Sequence, residues 1–248
     1  MEIFAHRGYH HSYPENSIPA IHAAFNKHIY SIEIDVRKCK TGEMVVYHDR
    51  NLKRLTGLKK FVINTPYSII GNLHLKNHEG KMTEYYIPLL REVLVRFGQK
   101  MQFILDIKKE TWLEDGLENT IVNLLYDLEL KDKVIISSFN PFVLKRIHHI
   151  EPSIHLGFII NHPLTLKVFP LHFVQSVHCN YQYTDHHLIK EAKDSGKSIF
   201  AWTVNDKHLA NKLSQQGIVD AIITDNPVEI AGFIGKEEFL REKDENKD

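Results

Sequence analysis

The stretch Ser31-Ile32-Glu33-Ile34-Asp35-Val36 is a short apolar run that carries two carboxylates. Side chains on a strand alternate between its two faces, so Glu33 and Asp35 project to one side and the three apolar side chains to the other. Two anions on one face repel each other and are costly to bury without a partner. A hard divalent cation would supply that partner, since Mg²⁺, Mn²⁺ and Ca²⁺ prefer oxygen ligands. The alternative is a solvent-facing pair on a half-exposed strand.

On both sides of this stretch, the chain alternates between strand patterns and helix patterns. The predicted strands lie at 3–5, 31–36, 103–105, 134–136, 154–160, 173–177, 198–203 and 220–223, with a short return run at 44–47. Helical spacing follows nearly every one of them, which implies a parallel sheet. Eight such repeats in 248 residues match a closed (β/α)₈ TIM barrel. An open doubly wound sheet is less well supported, because no Gly-x-Gly-x-x-Gly turn follows the first strand.

The pattern predicts one catalytic domain over residues 1–248, with an insertion at about 50–86 and a charged tail at about 235–248. The insertion lacks a long hydrophobic period and is too short to bury a core of its own. Its apolar residues would either form a lipid groove or pack onto the barrel rim. They are Phe61, Tyr67, Ile69, Ile70, Tyr85 and Tyr86.

Composition excludes several classes of protein. Lys+Arg and Asp+Glu are equal at 31 each, so no overall field attracts nucleic acid or an anionic membrane. Two cysteines do not make a disulfide scaffold in a chain of this length. No apolar run approaches the ~20 residues that a transmembrane helix requires, and the first residues lack a signal pattern. We therefore expect a cytoplasmic protein without a transmembrane segment.

Polar side chains collect where the predicted strands end, and in a TIM barrel the catalytic groups sit at the carboxyl ends of the strands. This concentration predicts a metal-assisted site at one mouth of the barrel. Its candidate members are His6, Arg7, Glu33, Asp35, His48, Asp49, Asp106, Lys108 and Trp202.

The residue types indicate phosphodiester chemistry. Arg7 and Lys108 beside a divalent cation would bind a phosphate group. Two histidines, His6 and His48, suit an acid and a base on either side of a phosphodiester bond. Motifs for a cysteine nucleophile, a Gly-x-Ser-x-Gly elbow or a Walker loop are missing from the sequence. The residues therefore predict metal-assisted cleavage of a phosphodiester.

Four assignments stay open at this level. Trp202 is either a pocket-lining residue or a core aromatic, and Lys108 is either a phosphate ligand or a structural partner of Asp106. Asp49 either orients His48 or caps the following loop. We expect Asp225 to help start the last helix rather than to contact substrate.

Several motifs occur in an order that resembles the glycerophosphodiester phosphodiesterase family, and together they cover almost the whole chain. They are Ala5-His6-Arg7-Gly8, Pro14-Glu15-Asn16-Ser17, Ile32-Glu33-Ile34-Asp35-Val36, Val45-Val46-Tyr47-His48-Asp49-Arg50-Asn51-Leu52, Ile87-Pro88-Leu89, Leu105-Asp106-Ile107-Lys108, Ser138-Phe139, Ala201-Trp202-Thr203-Val204-Asn205 and Ile223-Thr224-Asp225-Asn226-Pro227.

The resemblance implies a (β/α)₈ barrel with an insertion after the second strand. It also implies hydrolysis of a small-molecule glycerophosphodiester to glycerol 3-phosphate and an alcohol. One divalent cation is implied, Mg²⁺ or Ca²⁺ first and Mn²⁺ as the alternative. Carried over by position, the roles are the following: His6 and His48 as acid and base, Glu33, Asp35 and Asp106 as metal ligands, Arg7 and Lys108 on the phosphate, Trp202 in the pocket, and Glu15 nearby.

One position departs from the family pattern. The third metal ligand in this family is usually Glu, and here it is Asp106. The shorter side chain would require the metal to shift or a water to fill the gap.

Two rival functions follow from these observations. One is a lysophospholipase D or sphingomyelinase D type of lipid phosphodiesterase on the same barrel, and the other is a binding module without catalysis.

Overall fold

The computed structural model describes residues 1–109, 111–169 and 172–235. Its strands are β1 (Glu2–His6), β2 (Ser31–Lys38), β3 (Met44–Val46), β4 (His74–Lys76), β5 (Met82–Tyr86), β6 (Gln102–Ile107), β7 (Val134–Ser138), β8 (His155–Ile160), β9 (Ser176–Asn180), β10 (Ser198–Trp202) and β11 (Ala221–Thr224). Its α-helices are α1 (Ile18–Asn26), α2 (Lys53–Thr56), α3 (Tyr67–Ile70), α4 (Leu90–Phe97), α5 (Leu117–Asp127), α6 (Pro141–Ile150), α7 (His187–Asp194), α8 (Lys207–Gln216) and α9 (Pro227–Phe233). Short 3₁₀ helices cover Val62–Asn64, Pro163–Lys167 and Tyr181–Tyr183.

The predicted barrel is confirmed. Strands β1, β2 and β6 to β11 pair in parallel in that order, and β1 closes the barrel by pairing with both β11 and β2. Strand β3 is the short return run and pairs antiparallel with β2. Strands β4 and β5 form a separate two-stranded sheet within the predicted insertion. Among the described residues, no helix is both long and apolar enough to cross a membrane.

On β1 and β6 the barrel interior changes from apolar to polar over two residues. Phe4 on β1 and Ile104 on β6 belong to a buried apolar cluster. Two positions further along, and therefore on the same face, His6 and Asp106 line a cavity. The opposite face of β2 packs into the main core through its isoleucines and Val36. Strand alternation thus separates the polar site from the helix-facing core.

Several helices around the barrel begin at a side chain that caps them. The Ser17 hydroxyl accepts a hydrogen bond from the backbone N–H of Ala20 at 3.4 Å, and α1 begins at the next residue. Asn140 caps α6 and Asp206 caps α8 in the same way. The loops that follow the barrel strands therefore end at defined positions, and this sets the directions of the helices around the barrel.

One predicted strand is displaced by three residues. We expected the sixth barrel strand at 173–177, whereas β9 covers Ser176–Asn180. Ser176 and His178 are buried and polar, so the strand lacks the continuous apolar run that marked its neighbours. Phe173 and Val174 are apolar and buried just before β9. Their apolar pattern placed the predicted strand three residues too early.

The segment at 50–86 shares a buried apolar cluster with residues outside it. Its own members are Leu52, Leu55, Val62, Ile70 and Leu75, and they pack with Cys39, Val45, Tyr47 and Ile87. Ile70 is fully buried, whereas the side chains of Phe61 and Tyr86 are about half-exposed. Ile70 is therefore buried because this segment packs onto the barrel. Apart from Gly235, the predicted tail at about 235–248 lies outside the described residues.

Candidate active site

A cavity of about 160 Å³ lies at the carboxyl ends of the barrel strands. Of the candidate site residues proposed from the sequence, it brings together all but Asp49. Those residues are His6, Arg7, Glu33, Asp35, His48, Asp106, Lys108 and Trp202. Ser137, Phe139 and His178 also line the cavity and were not anticipated.

Three carboxylates form one wall of this cavity. Oxygen atoms of Glu33, Asp35 and Asp106 all lie within 4.8 Å of one another, and all three residues are buried. The parallel register of β2 and β6 aligns Asp35 with Asp106. Burial, together with the nearby charges of Asp35 and Asp106, raises the pKa of Glu33 well above its ordinary value. The three anions therefore destabilise one another when no cation lies between them.

Two basic side chains partly balance these anions. Lys108 Nζ lies 3.0 Å from Asp35 Oδ1 and also donates to Asp106. Arg7 Nε lies 3.1 Å from Asp35 Oδ2, which is an ion-pair distance without hydrogen-bond alignment. Burial opposes ionisation of Asp35, but Lys108 and Arg7 outweigh it and hold the pKa of Asp35 well below its usual range. Burial prevails at Asp106 and raises its pKa.

The carboxylate wall fits a hard divalent cation. All three residues offer oxygen ligands, which Mg²⁺, Ca²⁺ and Mn²⁺ prefer. Asp106 Oδ1 is buried and has no hydrogen-bond partner among the described residues. A buried oxygen without a partner is costly, and a cation would remove that cost. Despite its shorter side chain, Asp106 lies close enough to Glu33 and Asp35 to share one ion with them.

The first histidine is held from the far end of the chain. His6 Nδ1 lies 2.7 Å from Asp225 Oδ1, across 219 positions of sequence, and His6 Nε2 lies 3.9 Å from Glu33 Oε2. Burial lowers the pKa of His6, although the hydrogen bond to Asp225 opposes that shift. Because Nδ1 of His6 contacts Asp225, Nε2 is the ring nitrogen that faces the cavity.

The expected role of Asp225 as a helix start is wrong. The residue that precedes α9 is Asn226, and its side chain makes no capping hydrogen bond. Asp225 Oδ1 instead contacts His6 and, at 3.0 Å, His10 Nε2. Asn205 Nδ2 donates to Asp225 Oδ2 at 2.6 Å. Burial opposes ionisation of Asp225, but the hydrogen bonds from His10 and His6 outweigh it and hold the pKa well below the usual range.

The second histidine is held by its neighbour in sequence. His48 Nδ1 lies 2.8 Å from Asp49 Oδ1, so of the two roles left open for Asp49 the structure shows the orienting one. Arg54 donates to both oxygens of Asp49, at 2.7 and 3.1 Å. Its remaining donors reach both oxygens of Glu15 at 2.8 Å. Glu15 in turn accepts a hydrogen bond from Arg7 Nη1 at 2.8 Å.

Sequence reasoning missed Arg54 and the role of Asn16. Asn16 Nδ2 donates to Asp35 Oδ2 at 2.7 Å, and Asn16 Oδ1 accepts from the Asp35 backbone N–H at 3.1 Å. Asn16 adopts a φ of 59°, a conformation that Asn tolerates better than most side chains. The Pro14-Glu15-Asn16-Ser17 motif was the available signal, but its partners became evident only in the folded chain.

Trp202 lines the cavity and also packs, partly buried, against the apolar cluster of the barrel interior. Its indole Nε1 donates to the backbone carbonyl of His178 at 3.1 Å, and its ring packs edge-on against Phe139 with centroids 6.0 Å apart. Lys108 Nζ lies 5.6 Å from the centroid of the Phe139 ring. An aromatic wall therefore adjoins the charged one. Lys108 contacts both Asp35 and Asp106, so it is at least a structural partner of Asp106.

The chain is similar over most of its length to known phosphodiesterases. The model of the glycerophosphoryl diester phosphodiesterase family matches residues 6–229. A glycerophosphodiester phosphodiesterase from Caldanaerobacter subterraneus subsp. tengcongensis is 31% identical over 94% of this chain and 98% of its own length. One from Bacillus altitudinis is also 31% identical, over 91% of this chain and 95% of its own.

Solved structures show the same architecture. A phosphodiesterase from Oleispira antarctica, determined in complex with the product sn-glycerol-3-phosphate, is 28% identical. It has a TM-score of 0.83 over 94% of this chain and 96% of that chain. A putative glycerophosphodiester phosphodiesterase from Galdieria sulphuraria is 20% identical with a TM-score of 0.80, over 94% of this chain and 97% of that one. This second likeness supports the fold alone.

Proposed function

The chain belongs to the glycerophosphoryl diester phosphodiesterase family, and we propose that its cavity hydrolyses a small glycerophosphodiester to glycerol 3-phosphate and an alcohol. One observation carries the proposal. Two carboxylate-held histidines, two basic side chains and three buried carboxylates converge on a single cavity. This combination suits phosphodiester hydrolysis, because each charge that develops during the reaction has an opposite charge or a proton donor nearby.

Phosphate binding is assigned to Arg7 and Lys108. Both line the cavity and both contact Asp35, which keeps their charged ends at the carboxylate wall. Arg7 offers a planar fork of donors to phosphate oxygens, and Lys108 offers a compact positive charge. A divalent cation held by Glu33, Asp35 and Asp106 supplies Lewis-acid stabilisation of the phosphate charge. We assign Mg²⁺ or Ca²⁺ to this position, with Mn²⁺ as the alternative.

Proton transfer is assigned to the Nε2 atoms of His6 and His48. In each histidine Nδ1 contacts an aspartate, so a neutral ring carries its proton on Nδ1 and presents Nε2 as an acceptor. One histidine accepts the proton of the attacking oxygen, and the other donates a proton to the leaving alkoxide. Each aspartate orients its ring and stabilises the imidazolium form, as in other aspartate–histidine pairs.

The product assignment is supported by the Oleispira antarctica relative, whose structure holds sn-glycerol-3-phosphate as product. On this assignment the glycerol 3-phosphate half of the substrate occupies the charged part of the cavity. Trp202 and Phe139 then lie where the alcohol would leave. The names of the curated relatives favour glycerophosphodiesters over lysophospholipids as substrates.

A metal-reconstitution assay tests the proposal. The full chain is stripped with EDTA and incubated with glycerophosphocholine, and release of glycerol 3-phosphate is followed as Mg²⁺, Ca²⁺ or Mn²⁺ is added back. We expect no turnover without metal and recovery with at least one of the three ions. Glu33→Gln should weaken metal activation by at least about tenfold, because it removes a charged oxygen ligand. Glu151→Gln is the matched control, because Glu151 is a partly exposed carboxylate at the end of α6 and does not line the cavity.

Two results would contradict the proposal. Turnover that survives EDTA would remove the metal from the mechanism. A clear preference for lysophosphatidylcholine over glycerophosphocholine would instead assign the site to a lipid phosphodiesterase.

A further inference from the structure

A second group of possible metal ligands lies at the edge of the cavity, next to the carboxylate wall. It comprises His6 Nδ1, His10 Nε2 and Asp225 Oδ1, which all lie within 4.8 Å of one another. Both ring nitrogens contact the same oxygen, at 2.7 and 3.0 Å. All three side chains are partly exposed, so an ion from solvent can reach them.

We propose that His6, His10 and Asp225 form a binding site for a transition-metal dication, Zn²⁺ foremost. Two imidazoles and one carboxylate are a ligand set that suits Zn²⁺ and related ions and leaves a further coordination position for water. Bonds of about 2.0–2.2 Å to a tetrahedral zinc place ligand atoms roughly 3.3 Å apart. The two histidine–carboxylate contacts are already close to that spacing, so small side-chain rotations would complete the site.

Asn205 supports this assignment independently. Its Nδ2 donates to Asp225 Oδ2 at 2.6 Å, and its Oδ1 accepts from the Asp225 backbone N–H at 2.9 Å. These two bonds orient the carboxylate so that Oδ1 faces the histidines. Carboxylate ligands of metals are characteristically held in this way by a hydrogen bond to the oxygen that does not bind the ion.

The two metal-binding groups differ in chemistry and would select different ions. Glu33, Asp35 and Asp106 offer oxygen alone and already contact Lys108 and Arg7. Asp225 is contacted by His6, His10 and Asn205, which carry no permanent charge. Hard ions such as Mg²⁺ should therefore prefer the carboxylate wall, and Zn²⁺ should prefer the site with nitrogen ligands.

Occupancy of the new site would inhibit hydrolysis, an inference that rests on the proposed function of His6. A metal at His6 Nδ1 displaces the ring proton to Nε2, the atom that faces the cavity. The ring can then neither accept a proton at Nε2 nor become an imidazolium that donates one. Zn²⁺ should therefore inhibit by capturing one of the two histidines, without competing for the carboxylate wall.

Cobalt absorption tests the site without reference to activity. The full chain is first saturated with Mg²⁺ and then titrated with Co²⁺, whose visible bands are intense when nitrogen ligands hold it at low coordination number. We expect a saturable band in the unaltered chain, and His10→Ala should weaken Co²⁺ binding by at least about tenfold. His11→Ala is the matched control, since His11 is the exposed neighbour. Asp106→Asn should retain the band, which shows that the carboxylate wall does not produce it.

Zinc inhibition is then measured at saturating Mg²⁺, with each variant normalised to its own zinc-free rate. The inhibition constant should rise at least about tenfold in His10→Ala and stay unchanged in His11→Ala. Equal cobalt titration curves for His10→Ala and the unaltered chain would overturn the site. A band that depends on His10 without zinc inhibition would overturn the inhibitory role. If no substrate is hydrolysed at all, the proposed function fails, whereas the cobalt titration still decides the site.

Discussion

The two histidines of the cavity are held by the same kind of partner but by different parts of the molecule. His6 depends on Asp225, which lies 219 positions away and is oriented by Asn205. His48 depends on Asp49, its neighbour in sequence, which is fixed by Arg54 from α2 at the start of the insertion. Barrel closure therefore builds one aspartate–histidine pair, and the insertion supports the other. On the proposed function, the insertion is thus part of the catalytic apparatus as well as of the rim.

The largest expected effect comes from removing either ring. His6→Ala and His48→Ala should each lower kcat by about 10²- to 10⁴-fold, because each removes a general acid or base. The measurement is steady-state turnover of glycerophosphocholine, with circular dichroism as the control for folding. Near-normal turnover in either variant would show that the two histidines are not a catalytic pair.

A smaller effect is expected when the aspartates are neutralised. Asp225→Asn should lower kcat by about 100-fold, which is at the upper end of the range of losses seen when an orienting hydrogen-bond partner is removed. Asp49→Asn should lower it by about tenfold, because the His48 side chain is 34% exposed against 19% for His6 and water weakens its hydrogen bond. The ratio of the two kcat values tests the comparison directly. An equal loss in both variants would mean that burial does not distinguish the pairs.

At Arg54 we expect an effect of about the same size as at Asp49. Arg54→Ala removes the guanidinium that joins Asp49 to Glu15, and we expect kcat to fall by about tenfold through misplacement of His48 and Arg7. Added guanidinium should restore part of the rate. Arg54→Lys should recover little, because an ammonium cannot present a fork to two carboxylates.

Double variants reveal which histidine Arg54 serves. The effects of Arg54→Ala and Asp49→Asn should be strongly non-additive, because the two side chains share a hydrogen-bond network. The effects of Arg54→Ala and Asp225→Asn should add, because these two side chains share no hydrogen-bond partner among the described residues. Additivity in both pairs would leave Arg54 with a purely structural role.

Much of the site was predictable because it depends on local periodicity. The alternation of side chains along a strand placed Glu33 with Asp35, and Asp106 with Lys108, on one face each. Strand and helix alternation then implied a barrel, whose strand ends meet at one mouth. The displaced strand β9 shows the limit of this reasoning. Its interior positions are Ser176 and His178, so the apolar signal pointed to Phe173 and Val174 instead.

The partners of the proposed catalytic groups could not be predicted in the same way. Arg54 lies 39 positions from Glu15 in sequence and donates hydrogen bonds to both of its carboxylate oxygens. Nothing in the local sequence around either residue indicates that they are partners. Asp225 is a residue type that often begins a helix. Only the pairing of β11 with β1 brings it close enough to hydrogen-bond to His6. Such contacts depend on which loops the closed barrel brings together.

The barrel, the mouth at which the polar groups collect and the identity of those groups were all predictable from the order of residues along the chain. These properties follow from side-chain periods of two and about four residues, which reflect strand and helix geometry alone. How each group is held depends on the folded chain: His6 is held by Asp225, His48 by Asp49 and Arg54, and Asp35 by Asn16. The physical reason is that hydrogen bonds and ion pairs act over a few ångströms, and the folded barrel alone brings distant residues that close.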